Sequence, residues 1–163
     1  MTKTTTKPKA KASTATKPKA AMPQPQGVIA HLAFGDTAAA LTYYQKAFGA
    51  KEVMRMPAED GKRLLHAEMI LNGSRVFLHD DFPEYCAKFG GDVARPPKVT
   101  GSTSVTLHLE VANCDEAVKR AVDAGAKVVM PPMDAFWGAR YAQIVDPFGH
   151  SWSLAHPLPG KMG

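Results

Sequence analysis

The chain is poor in cysteine, with only Cys86 and Cys114 in 163 residues. Two thiols cannot build the disulfide framework of a small secreted domain, so reduced cytosolic thiols are the default. No apolar run approaches the length of a membrane span. No charged segment, apolar core and cleavage site open the chain, and a soluble cytoplasmic protein is the expectation. A phosphate-cradling Gly-rich loop, a nucleophile elbow and a Cys-x-x-Cys pair are also missing. So is any Gly-rich strand–loop–helix that would hold S-adenosylmethionine.

Acid is missing from one end. Residues 1–26 carry Lys3, Lys7, Lys9, Lys11, Lys17 and Lys19 and no Asp or Glu. Taking that +6 from the net charge of +5 leaves −1 for the rest, so the remaining chain offers no basic nucleic-acid face. The tail is Thr, Lys, Pro, Ala and Gln, with Lys-Pro-Lys-Ala at 7–10 and again at 17–20. Such a composition cannot offset its own ordering entropy, so a disordered tail is expected over 1–26. One reading of it is a solvated tail. The other is a weak, salt-sensitive contact with nucleic acid or another polyanion.

What is present is a patterned chain, 45% hydrophobic, with enough length for a real core. Val28 to Phe34 reads as an apolar strand. Asp36 caps a helix, Thr37 to Phe48, and Gly49 ends it. Strands follow at Lys51 to Met56, Leu64 to Leu71 and Arg75 to Asp80, the last two joined by an Asn72-Gly73 turn. Residues 81–103 hold Pro83, Gly90-Gly91, Pro96-Pro97 and Gly101 and read as an irregular linker. Then the order returns. Ser104 to Val111 is a strand, Asn113 with Glu116 caps a helix to Ala124, and Lys127 to Met130 is a strand. Arg140 to Leu154 closes the chain as a hairpin turning on Asp146-Pro147-Phe148-Gly149.

The letters repeat as well. Gly49-Ala-Lys-Glu-Val-Met54 matches Gly125-Ala-Lys-Val-Val-Met130 at an offset of 76. Gly73 matches Gly149 at 76 and His31 matches His108 at 77. Two β-α-β-β-β modules that each leave a sheet face uncovered should share a core.

This duplication, with Phe136-Trp137-Gly138, Asp146-Pro147-Phe148-Gly149-His150 and Trp152, resembles the vicinal oxygen chelate (glyoxalase/bleomycin resistance/dioxygenase) superfamily. The wording is most similar to its PhnB-like branch. The resemblance covers residues 27–156 and implies an α+β fold. Modules 27–80 and 103–156 would form a curved eight-stranded sheet around a cavity, with 157–163 a C-terminal tail. It also implies a small-molecule ligand and a homodimer.

Metal-dependent members carry ligands on the first and last strands of each module. Counting from Tyr43-Tyr44 and from Gly149 puts those positions at Ile29, Thr106, Phe77 and Ser153. These side chains cannot hold a divalent ion, so no cofactor is expected at the usual site. Two residues further along the same strand faces stand His31, His79, His108 and Ala155. Three imidazoles can hold zinc and leave a fourth position open. The alternative function is therefore a metal-dependent lyase, isomerase or dioxygenase using His31, His79 and His108. The plainer alternative makes them hydrogen-bonding or core histidines.

His66 and Glu68 alternate on one strand, opposite Ala67, Met69 and Leu71. If that polar face lines the cavity, Glu68 is a general base and His66 its partner; if it faces solvent, both are surface residues. Under the repeat, Arg140 shares their face and could bind a carboxylate or phosphate, or form a salt bridge. Phe136 and Trp137 suit stacking on a ligand at a cavity mouth, or Trp137 anchors its loop in the core. Trp152 reads as sheet core, and Asp80-Asp81 as a solvated pair. The function expected is binding of a small organic molecule by His31, His108, Phe136, Trp137 and Arg140, without the usual metal.

Overall fold

The computed structural model describes residues 27–91 and 93–160, besides Met1. The basic tail and the last three residues lie outside the described residues, and with them the reading of the tail as a nucleic-acid contact.

The first module is β1 (Ala30–Phe34), α1 (Thr37–Phe48), β2 (Lys51–Pro57), β3 (Leu64–Leu71) and β4 (Ser74–Asp80). The second is β5 (Thr106–Glu110), α4 (Cys114–Asp123), β6 (Lys127–Asp134), β7 (Ala139–Val145) and β8 (Ser151–Pro157). The segment between them was expected to be irregular. It holds two short helices, α2 (Pro83–Lys88) and α3 (Pro97–Thr100), each opened by a proline whose missing N–H a first turn does not need.

The main helices start and stop where the sequence dictates. The Asp36 carboxylate accepts from the Ala39 N–H at 2.8 Å, and the Asn113 side chain accepts from the Glu116 N–H at 3.1 Å. Each cap satisfies an otherwise orphaned donor. Gly49 ends α1 in the left-handed conformation at φ 69°.

The eight strands hydrogen-bond as two four-stranded sheets, in the orders β1-β4-β3-β2 and β5-β8-β7-β6. β1–β4 and β5–β8 run parallel, and the other neighbours run antiparallel. This is the duplicated α+β fold. β6 extends past Met130 through Pro131 and Pro132, which an edge strand tolerates because one side of its backbone has no ladder partner.

Alternation sends Leu32, Phe34, Ala67, Met69, Val76 and Leu78 to one face of the first sheet, toward α1. Leu109, Ala142, Ile144, Trp152 and Leu154 do the same toward α4. The two sets form one core, with α1 against α4 and the Tyr44 and Trp152 rings 5.5 Å apart. Trp152 is core, as its alternation with Leu154 predicts.

Asp80 corrects the expectation of a solvated acid pair. It is buried, and its carboxylate accepts from the backbone N–H groups of Thr37 and Leu64, tying α1 and β3 to the end of β4. Asp81 is paired with Arg95 at 2.6 Å. Among the described residues no helix is long and apolar enough to cross a membrane.

Candidate functional site

The face of each sheet turned away from its helix carries the polar and aromatic groups. In the first sheet that face gathers His31 from β1, His66 and Glu68 from β3, and Arg75, Phe77 and His79 from β4. His31 lies 4.8 Å from His79, 5.7 Å from His66 and 5.7 Å from Phe77, ring centre to ring centre, all edge-on. His66 meets Phe77 at 4.8 Å. His66 Nε2 stands 3.3 Å from Glu68 Oε1, and Arg75 Nε 3.5 Å from Glu68 Oε2. Strand alternation left open which way the His66–Glu68 face points. It is the face opposite the core, beside the other two histidines.

The hydrogen bonds fix how two of these imidazoles present themselves. The Asp80 carbonyl can only accept, so His79 Nδ1, 2.8 Å away, is the donor, which makes Nε2 the acceptor of the neutral ring. A Glu68 carboxylate accepts from His66 Nε2 in the same way, which makes Nδ1 the acceptor of the neutral His66 ring. Partial burial lowers the His31 pKa from its ordinary 6.5, and nearby His79 and His66 add to the shift.

His108 is elsewhere. It lies on β5, in the second sheet, with Nδ1 2.7 Å from the Ser153 hydroxyl. Among the described residues no group of three His, Cys, Asp or Glu is placed to hold a metal ion, so one chain does not assemble His31, His79 and His108. The strand register also corrects the counting along β1 and β5. His31, not Ile29, pairs with Phe77, and His108, not Thr106, pairs with Ser153. The donor set at these paired positions is one imidazole per sheet beside a phenyl ring or a hydroxyl, with no carboxylate. It does not fit a divalent cation within one chain.

Arg140 is also placed differently from its expectation. It shares the helix-facing side of β7 with Ala142 and Ile144, not the face of His66. Ala67 faces Leu78 in the first module while Ala142 faces Leu154 in the second, so the β7–β8 connection is one residue longer than the β3–β4 connection, and one extra residue exchanges the faces of a strand. Its guanidinium bonds Asp115 at 2.8 and 2.9 Å and Asp134 at 3.1 Å. These pairs hold the Asp115 carboxyl below its usual range and bind β7 to the start of α4. Phe136 and Trp137 sit exposed at the β6–β7 tip, 4.9 Å apart, with Trp137 5.4 Å from Tyr141. Trp137 is not anchored in the core.

A cavity of about 330 Å³ opens beside the histidine face, lined by His31, Leu65, His79, Phe82, Tyr85 and Phe89. Three of these come from the segment read as an irregular linker. The available signal was the spacing of Phe82, Tyr85 and Phe89, three and four residues apart as on a helix. A larger cleft, about 530 Å³, lies between the modules by Phe48, Lys51, Glu110 and Arg120 and contains none of the candidate residues.

A duplicated β-α-β-β-β frame with its polar residues on the sheet faces opposite the helices defines a class of small cavity proteins. The Glyoxalase/Bleomycin resistance protein/Dioxygenase superfamily matches residues 26–154, and the chain belongs to it. An uncharacterised protein of Mycobacterium bovis, Mb0911c, is 45% identical over 128 residues, 78% of this chain and 81% of that protein. Among solved structures, TioX from Micromonospora sp. ML1 superposes with a TM-score of 0.62 at 27% identity, over 82% of this chain and all of that one. A PhnB protein from Bacillus cereus shares the fold alone, with a TM-score of 0.56 at 18% identity over 79% of this chain and 98% of that one.

Proposed function

We propose that this chain is a PhnB-like member of the superfamily that binds a small organic molecule on the outward face of its first sheet, without the superfamily's usual metal. The observation that carries the reading is the gathering of His31, His66, Glu68, Phe77 and His79 on one face beside a cavity. Hydrogen-bonding groups among aromatic rings suit a ligand with an apolar body and a few polar atoms. Glu68, oriented by His66 and Arg75, is the group placed to move a proton if the bound molecule reacts. The Phe136-Trp137-Gly138 and Asp146-to-His150 wording and the likeness to the Bacillus cereus PhnB fold support the branch. Exposed Val53, Met54 and Met56 on β2 and Val128, Val129 and Met133 on β6 support a homodimer.

The test is a thermal-shift screen of small organic acids, phenols and heteroaromatics, repeated on Phe77→Ala. Hits that stabilise the native chain and fade in the variant support the reading. Hits unchanged by substitution at Phe77, His31 and His66 would move binding elsewhere and overturn it.

A further inference from the structure

α2 buries none of its residues, yet it carries Tyr85 and is flanked by Phe82 and Phe89. Tyr85 is 40% exposed and Phe89 63% exposed. Aromatic surface held in water costs free energy that a disordered linker would avoid by using polar residues. Here the rings are fixed in place. Phe82 and Tyr85 stack with centres 5.2 Å apart and planes 16° from parallel, and Phe89 stands edge-on to Tyr85 at 6.1 Å. Arg63 lies over the Phe82 ring at 4.3 Å and bonds Glu84 at 2.7 Å. Arg95 ties Asp81 down with bonds of 3.0 and 2.6 Å. Ion pairs on both sides therefore hold an aromatic wall against the histidine face.

The cavity between wall and sheet states what it would take. Its volume, about 330 Å³, falls at the small end of ligand pockets, the size for one or two fused rings. No Lys or Arg lines it, and both nearby arginines are paired with carboxylates, so nothing there favours an anion. Its polar groups are His31, His79 and Asp81, the last engaged by Arg95, and with His79 Nδ1 bonded to a carbonyl the acceptor of its neutral ring is Nε2. Neutral imidazole nitrogens of that kind accept hydrogen bonds.

Resting on the binding reading above, we propose that this cavity takes a neutral one- or two-ring aromatic molecule carrying an O–H or N–H donor. The rings lie against Leu65, Tyr85 and Phe89, and the donor bonds His79 Nε2 or His31. Partial burial keeps His31 neutral near neutral pH, which preserves that preference.

The test titrates the full chain with 2-naphthol, 2-methoxynaphthalene and 2-naphthoate, followed by proton–nitrogen NMR. The expected result is saturable binding of 2-naphthol, with shifts at the Tyr85 and Phe89 amides and the His79 ring. It should bind roughly tenfold more tightly than the other two, the value of one hydrogen bond made or left unmade. Phe89→Ala, which removes no core contact, should weaken 2-naphthol about fivefold and leave the remaining spectrum in place. Equal affinity for all three probes overturns the proposal, as does the lack of a saturable shift with 2-naphthol. Shifts confined to Phe77, Glu68 and His66 would also overturn it while leaving the broader binding reading standing. Loss of the Phe77-dependent hits in the thermal screen would remove that broader reading separately.

Discussion

The Tyr44 hydroxyl donates to the Asp146 carboxylate at 2.6 Å across 102 residues of chain, joining the helix of one module to the closing turn of the other. The same oxygen accepts from Trp152 Nε1 at 3.0 Å, and the second carboxylate oxygen accepts from the Phe148 and His150 N–H groups, each at 2.9 Å. Four donors thus converge on one buried side chain. Burial and the adjacent Asp146 push the Tyr44 hydroxyl far above its ordinary pKa, so it stays a donor at any working pH. Tyr44→Phe should cost about 1.5–3 kcal/mol, the range for a bond to a charged group. Asp146→Ala should cost more, about 3–5 kcal/mol, because it leaves several buried donors without a partner. Urea unfolding of the three proteins measures both. A Tyr44→Phe variant as stable as the parent would show that the modules do not depend on this bond.

Gly149 closes the turn at φ 95°, and a Cβ there would lie 3.0 Å from Pro97 Cβ. Backbone conformation and contact both oppose a side chain. Gly149→Ala should lose about 1–3 kcal/mol. Pro97→Ala keeps a Cβ, so it should not rescue the variant, whereas Pro97→Gly should recover the contact part alone. Thermal melts of the single and double variants separate strain from collision.

Most of the architecture was legible because the modules state their pattern twice. Asp36 and Asn113 announce the helices, Gly49-to-Met54 echoes Gly125-to-Met130, and apolar residues alternate along the strands. The site was less legible. Periodicity says that His66 and Glu68 share a face but not which face is core; packing against α1 decides that. The extra residue in the β7–β8 connection defeated the extrapolation to Arg140, since it exchanges strand faces. Pro83, Gly90 and Gly91 suggested an irregular segment where Phe82, Tyr85 and Phe89 build a wall. The distant partners of Asp80, at Thr37 and Leu64, follow from tertiary contact and have no local signal.

Stability should fall on mild acidification through the histidines. Burial lowers the pKa of His150, opposed by neighbouring Asp146 and by its bond to the Ala33 carbonyl at 3.1 Å. His31 is lowered too, first by burial and then by His79 and His66. A lowered pKa means that the unfolded chain takes up the proton first. The native state is therefore favoured at neutral pH, and that contribution is lost as pH falls through about 6.5 toward the folded values. His31→Gln should flatten part of this slope and His150→Gln another part. Urea midpoints taken between pH 8 and 5 check this, and parallel slopes for parent and variants would refute it.

The edge strands β2 and β6 expose Val53, Met54 and Met56 on one sheet and Val128, Val129 and Met133 on the other. An uncovered edge with apolar side chains is a pairing surface unless charge or a bulge protects it. Both strands carry register irregularities that weaken pairing, yet the apolar residues remain on the outside. A dimer that covers them should sediment as a single species at micromolar concentration. Replacing Val129 by Glu places an unpaired carboxylate in that surface and should shift the protein to monomer with less than about 0.5 kcal/mol lost from the folded chain, since Val129 is 60% exposed. Sedimentation velocity reads the first effect and urea unfolding of the monomer the second. If parent and variant sediment alike as dimers, the contact lies elsewhere; if both are monomers, these strands are uncovered in solution.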